Sequence, residues 1–300
     1  MSKLIECIPN FSEGRRAEVI EAIAAAIKSV ANVILLDYSA DQNHNRSVFT
    51  FVGTPEAVGE AAFLSAQKAA ELIDMNKHNG GHPRMGAVDV IPFVPVKNVT
   101  MEECREFSKQ LGARIAAELA IPVFLYEESA LNQERKNLAN IRKGQFEGMT
   151  AKIRDPHWKP DFGERAVHPT AGVTAVGARM PLVAYNVNLD TADLRIAKEI
   201  ARTIRESSGG LKYVKAIGVM LTDRNIAQVS INMTNYEGTP LYRVFELIKI
   251  EAQRFGVNVI GSEIIGLTPM GALIDTAKYY LKLENFVEQQ QVLENYLLSS

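Results

Sequence analysis

The sequence predicts an α/β fold of the α+β kind, built from two consecutive β-α-β-β-α-β units. Three observations lead to this fold class. Apolar residues recur with strand and helix periods in the same order in both halves of the chain. The tripeptide Gly-Thr-Pro, at 53–55 and at 238–240, precedes the second helix of each half. Prolines and glycines are frequent over 150–181, where one unit would join the next.

The elements of the first half follow from local patterns. Strands are predicted at 4–8, 33–37, 47–52 and 88–96, and helices at 15–29, 55–74 and 101–119. Thr54 and Pro55 are typical of a helix start, as cap and first helical residue. The segment Thr100-Met-Glu-Glu103 has the spacing of a capping box, in which the two outer residues satisfy each other's backbone N–H groups.

The second half repeats this order and ends in a helical tail. Strands are predicted at 182–188, 214–221, 226–234 and 257–264, and helices at 192–206, 241–255 and 285–298. We therefore expect two ferredoxin-like units, over residues 1–178 and 179–300. We expect the two sheets to face each other, with the helices outside and a ligand cleft between the sheets.

Composition excludes several classes of function. The chain has 300 residues, of which 47% are hydrophobic and 23% charged, with a net charge of −2 and a pI of about 6.3. No basic field favours nucleic acid as a partner. No apolar run reaches membrane length and no secretory leader is evident, so a cytoplasmic protein without membrane contact is expected. Cys7 and Cys104 lie far apart and are expected to be reduced, packed thiols.

A polar loop, His78-Asn-Gly-Gly-His-Pro-Arg84, concentrates titratable side chains. Gly80, Gly81 and Pro83 rule out a helix that would align the two histidines, and a third ligand at useful spacing is missing, so no metal site is expected. Phosphate loops and a nucleophile elbow are also missing from the sequence. What remains is a loop histidine near Arg84 and Asp89. A lone histidine is commonly an ordinary surface or core residue, but shaped loops carry function more often than cores do.

Several long motifs resemble one known family. They are Ile5-Glu-Cys-Ile-Pro-Asn-Phe-Ser-Glu-Gly14, Asn45-Arg46, Phe51-Val-Gly53, Leu72-Ile-Asp-Met75, His82-Pro-Arg-Met-Gly-Ala-Val-Asp-Val90, Pro92-Phe-Val-Pro95, Trp158-Lys-Pro-Asp-Phe-Gly163, Gly177-Ala-Arg179, Asn186-Val-Asn-Leu189, Ala227-Gln-Val-Ser230 and Gly261-Ser-Glu-Ile-Ile-Gly-Leu267. With them the chain resembles the formiminotransferase family over nearly its whole length. In animals this module is similar to the first part of a bifunctional protein whose second part is a cyclodeaminase.

The resemblance implies an enzyme of histidine breakdown and one-carbon metabolism. Its reaction would transfer a formimidoyl group from N-formimidoyl-L-glutamate to tetrahydrofolate, giving 5-formimidoyltetrahydrofolate and glutamate. Tetrahydrofolate would be a co-substrate, without a tightly bound cofactor, and the enzyme would be a cytoplasmic homodimer. Three alternatives stay open: N-formimidoylglycine as donor, 5-formyltetrahydrofolate as substrate, and a non-catalytic folate-binding protein.

The resemblance also implies roles for particular residues. The catalytic histidine falls on His82, which would relay a proton with a pKa near neutrality; His78 would be loop scaffold or a secondary contact. Both substrates are anionic, so arginines are expected to line the site, with Arg46, Arg84 and Arg179 as the candidates. Asp89 would orient His82, hold the cationic amidine, or pair within the loop.

The family's folate-contacting stretch corresponds to Gly163, Glu164, Arg165, Ala166, Val167, His168, Pro169, Thr170, Ala171 and Gly172. The animal pattern has aromatic residues in this segment, where this chain has Val167, His168 and Thr170. Details of pteridine packing are therefore expected to differ. His168 and Arg165 are candidates to bind the anionic folate tail.

Overall fold

The computed structural model describes residues 3–297 and divides the chain into two compact units, the first ending at Arg179 and the second beginning at Met180. Each unit contains the predicted order β-α-β-β-α-β. The expected facing of the two sheets and the cleft between them stay predictions. None of the helices within residues 3–297 combines the length and the hydrophobicity that a membrane span requires.

The first unit has a mixed sheet with helices on both faces. Its elements are β1 (Leu4–Cys7), β2 (Asn10–Phe11), α1 (Ala17–Lys28), β3 (Val33–Asp41), β4 (Arg46–Gly53), α2 (Pro55–Leu72), β5 (Val88–Lys97), α3 (Met101–Leu119), β6 (Val123–Glu127), α4 (Leu138–Arg142), α5 (Gln145–Lys152) and β7 (Thr174–Ala178). Short 3₁₀ turns at Gln133–Lys136 and Pro156–Trp158 flank α4 and α5. Among the described residues the sheet counts seven strands, three more than the sequence pattern predicted.

Across this sheet the strands lie in the order β3, β4, β1 with β2, β5, β7 and β6. The short strands β1 and β2 share one position between β4 and β5, separated by Ile8 and Pro9. β7 pairs in parallel with both β5 and β6. The prediction missed β7 because its small residues, Thr174–Ala178, lie in the segment that proline and glycine content marked as a joint. All five are buried, so this part of the segment is a core strand of the first unit.

Each face of the first sheet has its own core. Ile91 and Phe93 of β5 pack on one face with the apolar sides of α1, α2 and α3. Their neighbour Val90 points to the opposite face and belongs to a cluster that includes Met149 of α5. The segment that carries α4 and α5 is therefore anchored to the sheet by apolar packing, and Arg142, the last residue of α4, is held with it.

The second unit has a separate antiparallel sheet in the order β11, β8, β10, β9. Its elements are β8 (Val183–Leu189), α6 (Leu194–Ile204), β9 (Val214–Leu221), β10 (Ile226–Met233), α7 (Leu241–Arg254), β11 (Val259–Ile265), α8 (Met270–Leu281), α9 (Glu288–Gln291) and α10 (Leu293–Leu297). Val187 and Val229 of the sheet pack with Ile200 of α6 and Ile248 of α7, all fully buried. This single face gives the second unit its core.

Three features of the second unit differ from the prediction. Pro240 is the N-cap of α7, whereas Pro55 is the first residue of α2, so the repeated Gly-Thr-Pro starts its two helices one residue apart. A further helix, α8, follows β11 where no element was predicted. The predicted tail helix is two short helices, α9 and α10, and residue 298 lies outside the described residues.

The start of α3 provides a test of helix capping. The Thr100 hydroxyl accepts a hydrogen bond from the Glu103 backbone N–H at 3.2 Å, and the Glu103 carboxylate accepts one from the Thr100 N–H at 2.7 Å. Thr100→Ala should therefore lower the free energy of unfolding by about 1 kcal/mol. Thr54→Ala is the matched control, because Thr54 caps α2 without a side-chain hydrogen bond. Urea unfolding midpoints that fall equally in both variants would contradict the capping assignment.

Candidate active site

The loop of residues 73–87, which joins α2 to β5, borders a small polar pocket in the first unit. The pocket is lined by Ser12, His44, Asn45, Arg46, His78, His82, Arg84 and Asp89. Four candidates from the sequence, His82, Arg46, Arg84 and Asp89, are therefore brought together by the fold. Of the other four lining residues, His78 was expected to be loop scaffold or a secondary contact, and Ser12, His44 and Asn45 were given no role.

Gly80 allows this loop to lie against the turn between β3 and β4. A Cβ atom at position 80 would lie 2.2 Å from the carbonyl oxygen of His44 and 2.8 Å from the Cβ of Asn45. Asn45, in the left-handed region with φ of 50°, donates through Nδ2 to the carbonyl oxygen of Asn79 at 3.0 Å. A residue without a side chain is thus required here, and the close contact holds His82 beside the start of β4.

His82 accepts a hydrogen bond from an arginine. Nη1 of Arg46 lies 2.9 Å from Nε2 of His82 and 3.3 Å from Oδ1 of Asn10. A guanidinium only donates, so Nε2 must carry the lone pair, and the ring proton is assigned to Nδ1. In the described arrangement the imidazole is therefore neutral.

Burial and nearby positive charge both oppose protonation of this ring. Burial, followed by the charges of Arg46, Arg142 and His44, lowers the pKa of His82 to about 3, although the Pro83 backbone partly opposes the shift. The sequence had led us to expect a pKa near neutrality. The difference arises first because the fold buries the ring, and second because two guanidinium groups that lie far from His82 in the sequence act on it in the fold.

Arg142, the last residue of α4, is not itself among the lining residues but pairs with Asp89, which is. β5 has an extra residue opposite β2, since Asn10 pairs with Val90 and Phe11 with Val88, and this irregularity falls at Asp89. One carboxylate oxygen of Asp89 accepts from the Met85 backbone N–H at 2.9 Å, and the other accepts from Arg142. Of the roles expected for Asp89, the described contacts match pairing near the loop; its effect on His82 would be indirect.

Arg84 is turned inward and fully engaged. Its side chain is 9% exposed and donates to both carboxylate oxygens of Glu147, at 2.6 and 2.9 Å. It also donates to Gln145 at 3.0 Å and to Nδ1 of His78 at 3.1 Å. These bonds change our expectation for Arg84, because a substrate carboxylate would have to displace Glu147. We expect its contribution to be structural.

His78 links this ion pair to the turn before β4. Its Nε2 lies 2.9 Å from the carbonyl oxygen of Asn45, to which it must donate because Nδ1 accepts from Arg84. These contacts fit the expected scaffold role. No group of three or more histidine, cysteine, aspartate or glutamate side chains in residues 3–297 is arranged to hold a metal ion.

Arg179 lies in a different environment from the other predicted arginines. It follows β7, and its backbone N–H donates to the carbonyl oxygen of Phe93 at 3.0 Å. Burial raises the pKa of Glu6, and the charge of Arg179 partly offsets that shift. Arg179 also interacts with the buried Tyr126. It is not among the residues that line the His82 pocket.

The predicted folate-contacting stretch, residues 163–172, runs along the loop of residues 73–87. The Met75 N–H donates to the carbonyl oxygen of Thr170 at 2.8 Å, and the Ala87 N–H donates to that of Ala171 at 2.8 Å. At Gly172, where φ is 74°, a Cβ atom would lie 2.3 Å from the carbonyl oxygen of Met85. The two segments singled out by the resemblance are therefore joined, mainly through backbone atoms.

Side chains within the stretch have local partners. Nδ1 of His168 accepts from the backbone N–H groups of Thr170, at 3.3 Å, and Ala171, at 2.9 Å. Arg165 donates to the carbonyl oxygens of Ile153, at 3.4 Å, and Arg154, at 2.5 Å. Both acceptors are uncharged carbonyl oxygens, so these hydrogen bonds do not neutralise the charge of Arg165. Its guanidinium therefore keeps its attraction for an anion.

Two functional candidates, Arg142 and His44, were not predicted from the sequence. Arg142 lies 53 residues beyond its partner Asp89, and no motif marks it. His44 lies in the turn between β3 and β4. Its Nδ1 lies 2.8 Å from Oδ2 of Asp41, and its ring centroid lies 6.3 Å from that of His82. No spacing in the sequence indicates Arg142. The run Asp41-Gln-Asn-His44 could have indicated the pair of Asp41 and His44, because it places the two side chains three residues apart.

Comparison with known proteins places these features in a family context. Residues 4–179 match the formiminotransferase domain, N-terminal subdomain, and residues 184–295 match the formiminotransferase domain. The chain is 62% identical to glutamate formimidoyltransferase of Streptococcus pyogenes serotype M1, over 99% of this chain and 100% of that protein. It is 50% identical to glutamate formimidoyltransferase of Thermoplasma acidophilum, over 95% of this chain and 94% of that protein.

Animal relatives are longer. The chain is 48% identical to formimidoyltransferase-cyclodeaminase of Gallus gallus over 95% of its own length, but spans 53% of that protein. The similarity thus covers about half of the animal protein.

Gly80→Ala tests the close contact between the two loops. The added methyl group would meet backbone atoms that cannot move away alone, so we expect a loss of about 1–3 kcal/mol in the free energy of unfolding. Gly59→Ala in α2 is the control, because nothing lies within 4 Å of its Cβ position. That control should gain about 0.5–1 kcal/mol, as alanine favours a helix interior. Equal urea midpoints for the two variants would refute the contact.

The pKa of His82 also predicts how stability depends on pH. The unfolded residue titrates near 6.5 and the folded one near 3, so between these values the unfolded chain binds the extra proton. The free energy of unfolding contributed by this site therefore decreases as the pH falls from 6.5 toward 3. Urea unfolding at pH 7.5 and pH 5 should show a smaller acid loss in His82→Gln than in the unsubstituted protein. An identical loss would mean that His82 is not shifted.

Proposed function

The chain belongs to the formiminotransferase family, and on this premise we propose that it transfers the formimidoyl group of N-formimidoyl-L-glutamate to tetrahydrofolate. The products would be 5-formimidoyltetrahydrofolate and L-glutamate. The main support is the full-length similarity to two glutamate formimidoyltransferases, across both subdomains. The pocket around His82 supports the same reaction, because it offers an imidazole and arginines to two anionic substrates.

The reaction needs one proton to move between two nitrogens. N5 of tetrahydrofolate attacks the amidine carbon, a C–N5 bond forms, and N5 must lose its proton. The bond from that carbon to the glutamate nitrogen then breaks, and this nitrogen must gain a proton. His82 takes the first proton on its unprotonated Nε2 and returns it to the leaving nitrogen, so the side chain ends the cycle unchanged. The charge of the donor's own amidinium group polarises the carbon that is attacked.

The resting contact with Arg46 limits His82 as a base. Nη1 of Arg46 covers the lone pair of Nε2 at 2.9 Å, and a pKa of about 3 makes the ring a weak proton acceptor. A substrate carboxylate would attract Arg46 away from Nε2 and offset its charge. Both effects raise the pKa of His82 toward the value that proton transfer at neutral pH requires.

We further propose that folate binds along residues 163–172, as the resemblance implies. The hydrogen bonds of Thr170 and Ala171 to the loop of residues 73–87 support this, because a ligand on one segment would be near the other. Arg165 is available to attract the anionic tail. Tetrahydrofolate is then a co-substrate, and the proposal requires no tightly bound cofactor. The homodimer and the cytoplasmic location stay predictions.

The donor is identified by one assay. Purified protein with tetrahydrofolate should convert N-formimidoyl-L-glutamate with a higher kcat/KM than N-formimidoylglycine, and 5-formyltetrahydrofolate should not be consumed. Folate binding without turnover of any donor would refute the proposed enzyme and favour a binding protein.

His82→Ala tests the proton transfer. We expect kcat to fall by roughly 10² to 10⁴, with little change in tetrahydrofolate affinity, because the lost group acts on the proton in the transition state. His157→Ala is the control, since His157 is exposed on a 3₁₀ turn and pairs with Glu134. A His82→Ala enzyme within a few-fold of the original kcat, at saturating concentrations of both substrates, would end the assignment.

A further inference from the structure

We propose that Arg142, together with Arg46, binds the α-carboxylate of the formimidoyl donor, and that Asp89 is the positioning residue that holds Arg142 for this contact. The inference rests on the proposed function and identifies the donor subsite within it. Arg142 takes the role that the sequence analysis had given in part to Arg84.

Charge in the pocket favours an anion beside these two arginines. Arg84 is neutralised by Glu147 and Arg142 by Asp89. Arg46 instead donates to a neutral imidazole and to the amide oxygen of Asn10. Of these three guanidinium groups, Arg46 is therefore the one whose described hydrogen bonds reach no carboxylate.

Arg46 lines the pocket, and Arg142 is bound to Asp89, another lining residue. Burial, followed by the charge of Arg142, lowers the pKa of Arg46, whereas Asp89 and Asp41 act in the opposite direction. Of these two carboxylates, Asp41 is already bound to His44 and Asp89 to Arg142. Two guanidinium groups held together with one shared acidic neighbour form a natural site for a further carboxylate.

Arg142 makes fewer described hydrogen bonds than Arg84. Its Nη2 donates to Asp89, whereas its Nη1 has no described hydrogen bond and its Nε is buried without a partner among residues 3–297. Its side chain is 18% exposed, compared with 9% for Arg84. Arg84 could bind a ligand only by losing its bidentate pair with Glu147, whereas Arg142 can add a ligand while keeping Asp89.

The geometry of the two substrates favours the carboxylate of the donor, rather than that of the folate tail, as the ligand of Arg46 and Arg142. In N-formimidoyl-L-glutamate the α-carboxylate is attached to the carbon that carries the reacting nitrogen. A guanidinium beside His82 can therefore hold it while His82 serves that nitrogen. The carboxylates of folate are separated from N5 by the rest of the pteridine and the p-aminobenzoyl group. They cannot reach the same arginines while N5 is at His82.

Donor binding at this place would also activate His82. The charged or titratable groups around the ring are Arg46, Arg142, His44, Asp89, His78 and Arg84. A carboxylate between Arg46 and Arg142 offsets the two strongest cationic influences and competes for the Nη1 that covers Nε2. The base becomes competent when the donor is present, which couples proton transfer to correct loading.

The decisive experiment removes the contact between Arg142 and the α-carboxylate in two ways, by changing the ligand and by changing the protein. L-glutamate and 4-aminobutyrate, which lacks the α-carboxylate, would be titrated against the protein and their dissociation constants compared. The unsubstituted protein should prefer L-glutamate by roughly 10- to 100-fold, the value of a charge-assisted hydrogen bond. In Arg142→Ala this preference should fall to about three-fold or less, and the KM for the donor should rise by roughly 10- to 100-fold with little change for tetrahydrofolate. Arg195→Ala is the control, because Arg195 is exposed in the second unit and pairs only locally with Asp193.

The role of Asp89 is tested by a double-mutant cycle. Asp89→Asn should raise the donor KM, and the double variant Arg142→Ala with Asp89→Asn should be no worse than Arg142→Ala alone, since Asp89 acts through Arg142. The double variant also removes the unpaired buried carboxylate that Arg142→Ala leaves behind, so it covers the case in which the single variant does not fold. Histidine NMR should give His82 a higher pKa in either variant that lacks Arg142, because a nearby positive charge is gone.

Several outcomes would overturn the inference. An unchanged preference for L-glutamate in the variants that lack Arg142 would remove Arg142 from the donor site. A rise confined to the KM for tetrahydrofolate would assign this guanidinium to folate. Additive losses in the double-mutant cycle would deny that Asp89 acts through Arg142. If the unsubstituted protein turned over no formimidoyl donor, the proposed function itself would fail, whatever the amino-acid titrations gave.

Discussion

The interaction on which the candidate active site depends is a guanidinium that donates to a partly buried imidazole and has no carboxylate among its described hydrogen-bond partners. Arg46 donates to His82 and so fixes both the tautomer and the neutrality of the ring. The other two arginines nearby are each neutralised by a carboxylate, Glu147 or Asp89, and so add little net charge. In the proposed mechanism the site would therefore act as a preformed anion receptor whose base, His82, is weak until the anionic donor binds.

Three separate parts of the chain must meet to create this arrangement. The first residue of β4 is Arg46, the loop after α2 supplies His82, and α4 supplies Arg142. Gly80 sets the distance between the first two, and the irregularity of β5 at Asp89 connects the third. Apolar packing anchors α4 and α5, and with them Arg142, to the sheet. The charge pattern therefore depends on a core of buried apolar side chains that do not line the pocket.

Periodicity and local chemistry predicted the order β-α-β-β-α-β in both halves and the capping box at Thr100. They could do so because each of these features depends on residues that are close together in the sequence. β7 was missed because small residues in a segment rich in proline and glycine carry no strand period, although parallel pairing buries them. The gathering of Arg46, His82, Arg84 and Asp89 followed from motifs. Neither the neutralisation of Arg84 by Glu147 nor the approach of Arg142 could be predicted, since each depends on contacts between segments more than 50 residues apart.

The segment of residues 163–172 is hydrogen-bonded to the loop of residues 73–87 through the carbonyl oxygens of Pro169, Thr170 and Ala171. Every amino acid presents the same carbonyl group, so exchanging the side chains of this segment leaves these ties in place. Under the proposed function, recognition of the folate ring system by this segment and proton transfer at His82 can therefore diverge independently over evolution. An aromatic version of the segment could likewise be transplanted into this scaffold, provided that Gly172 is kept, without changing the surroundings of His82.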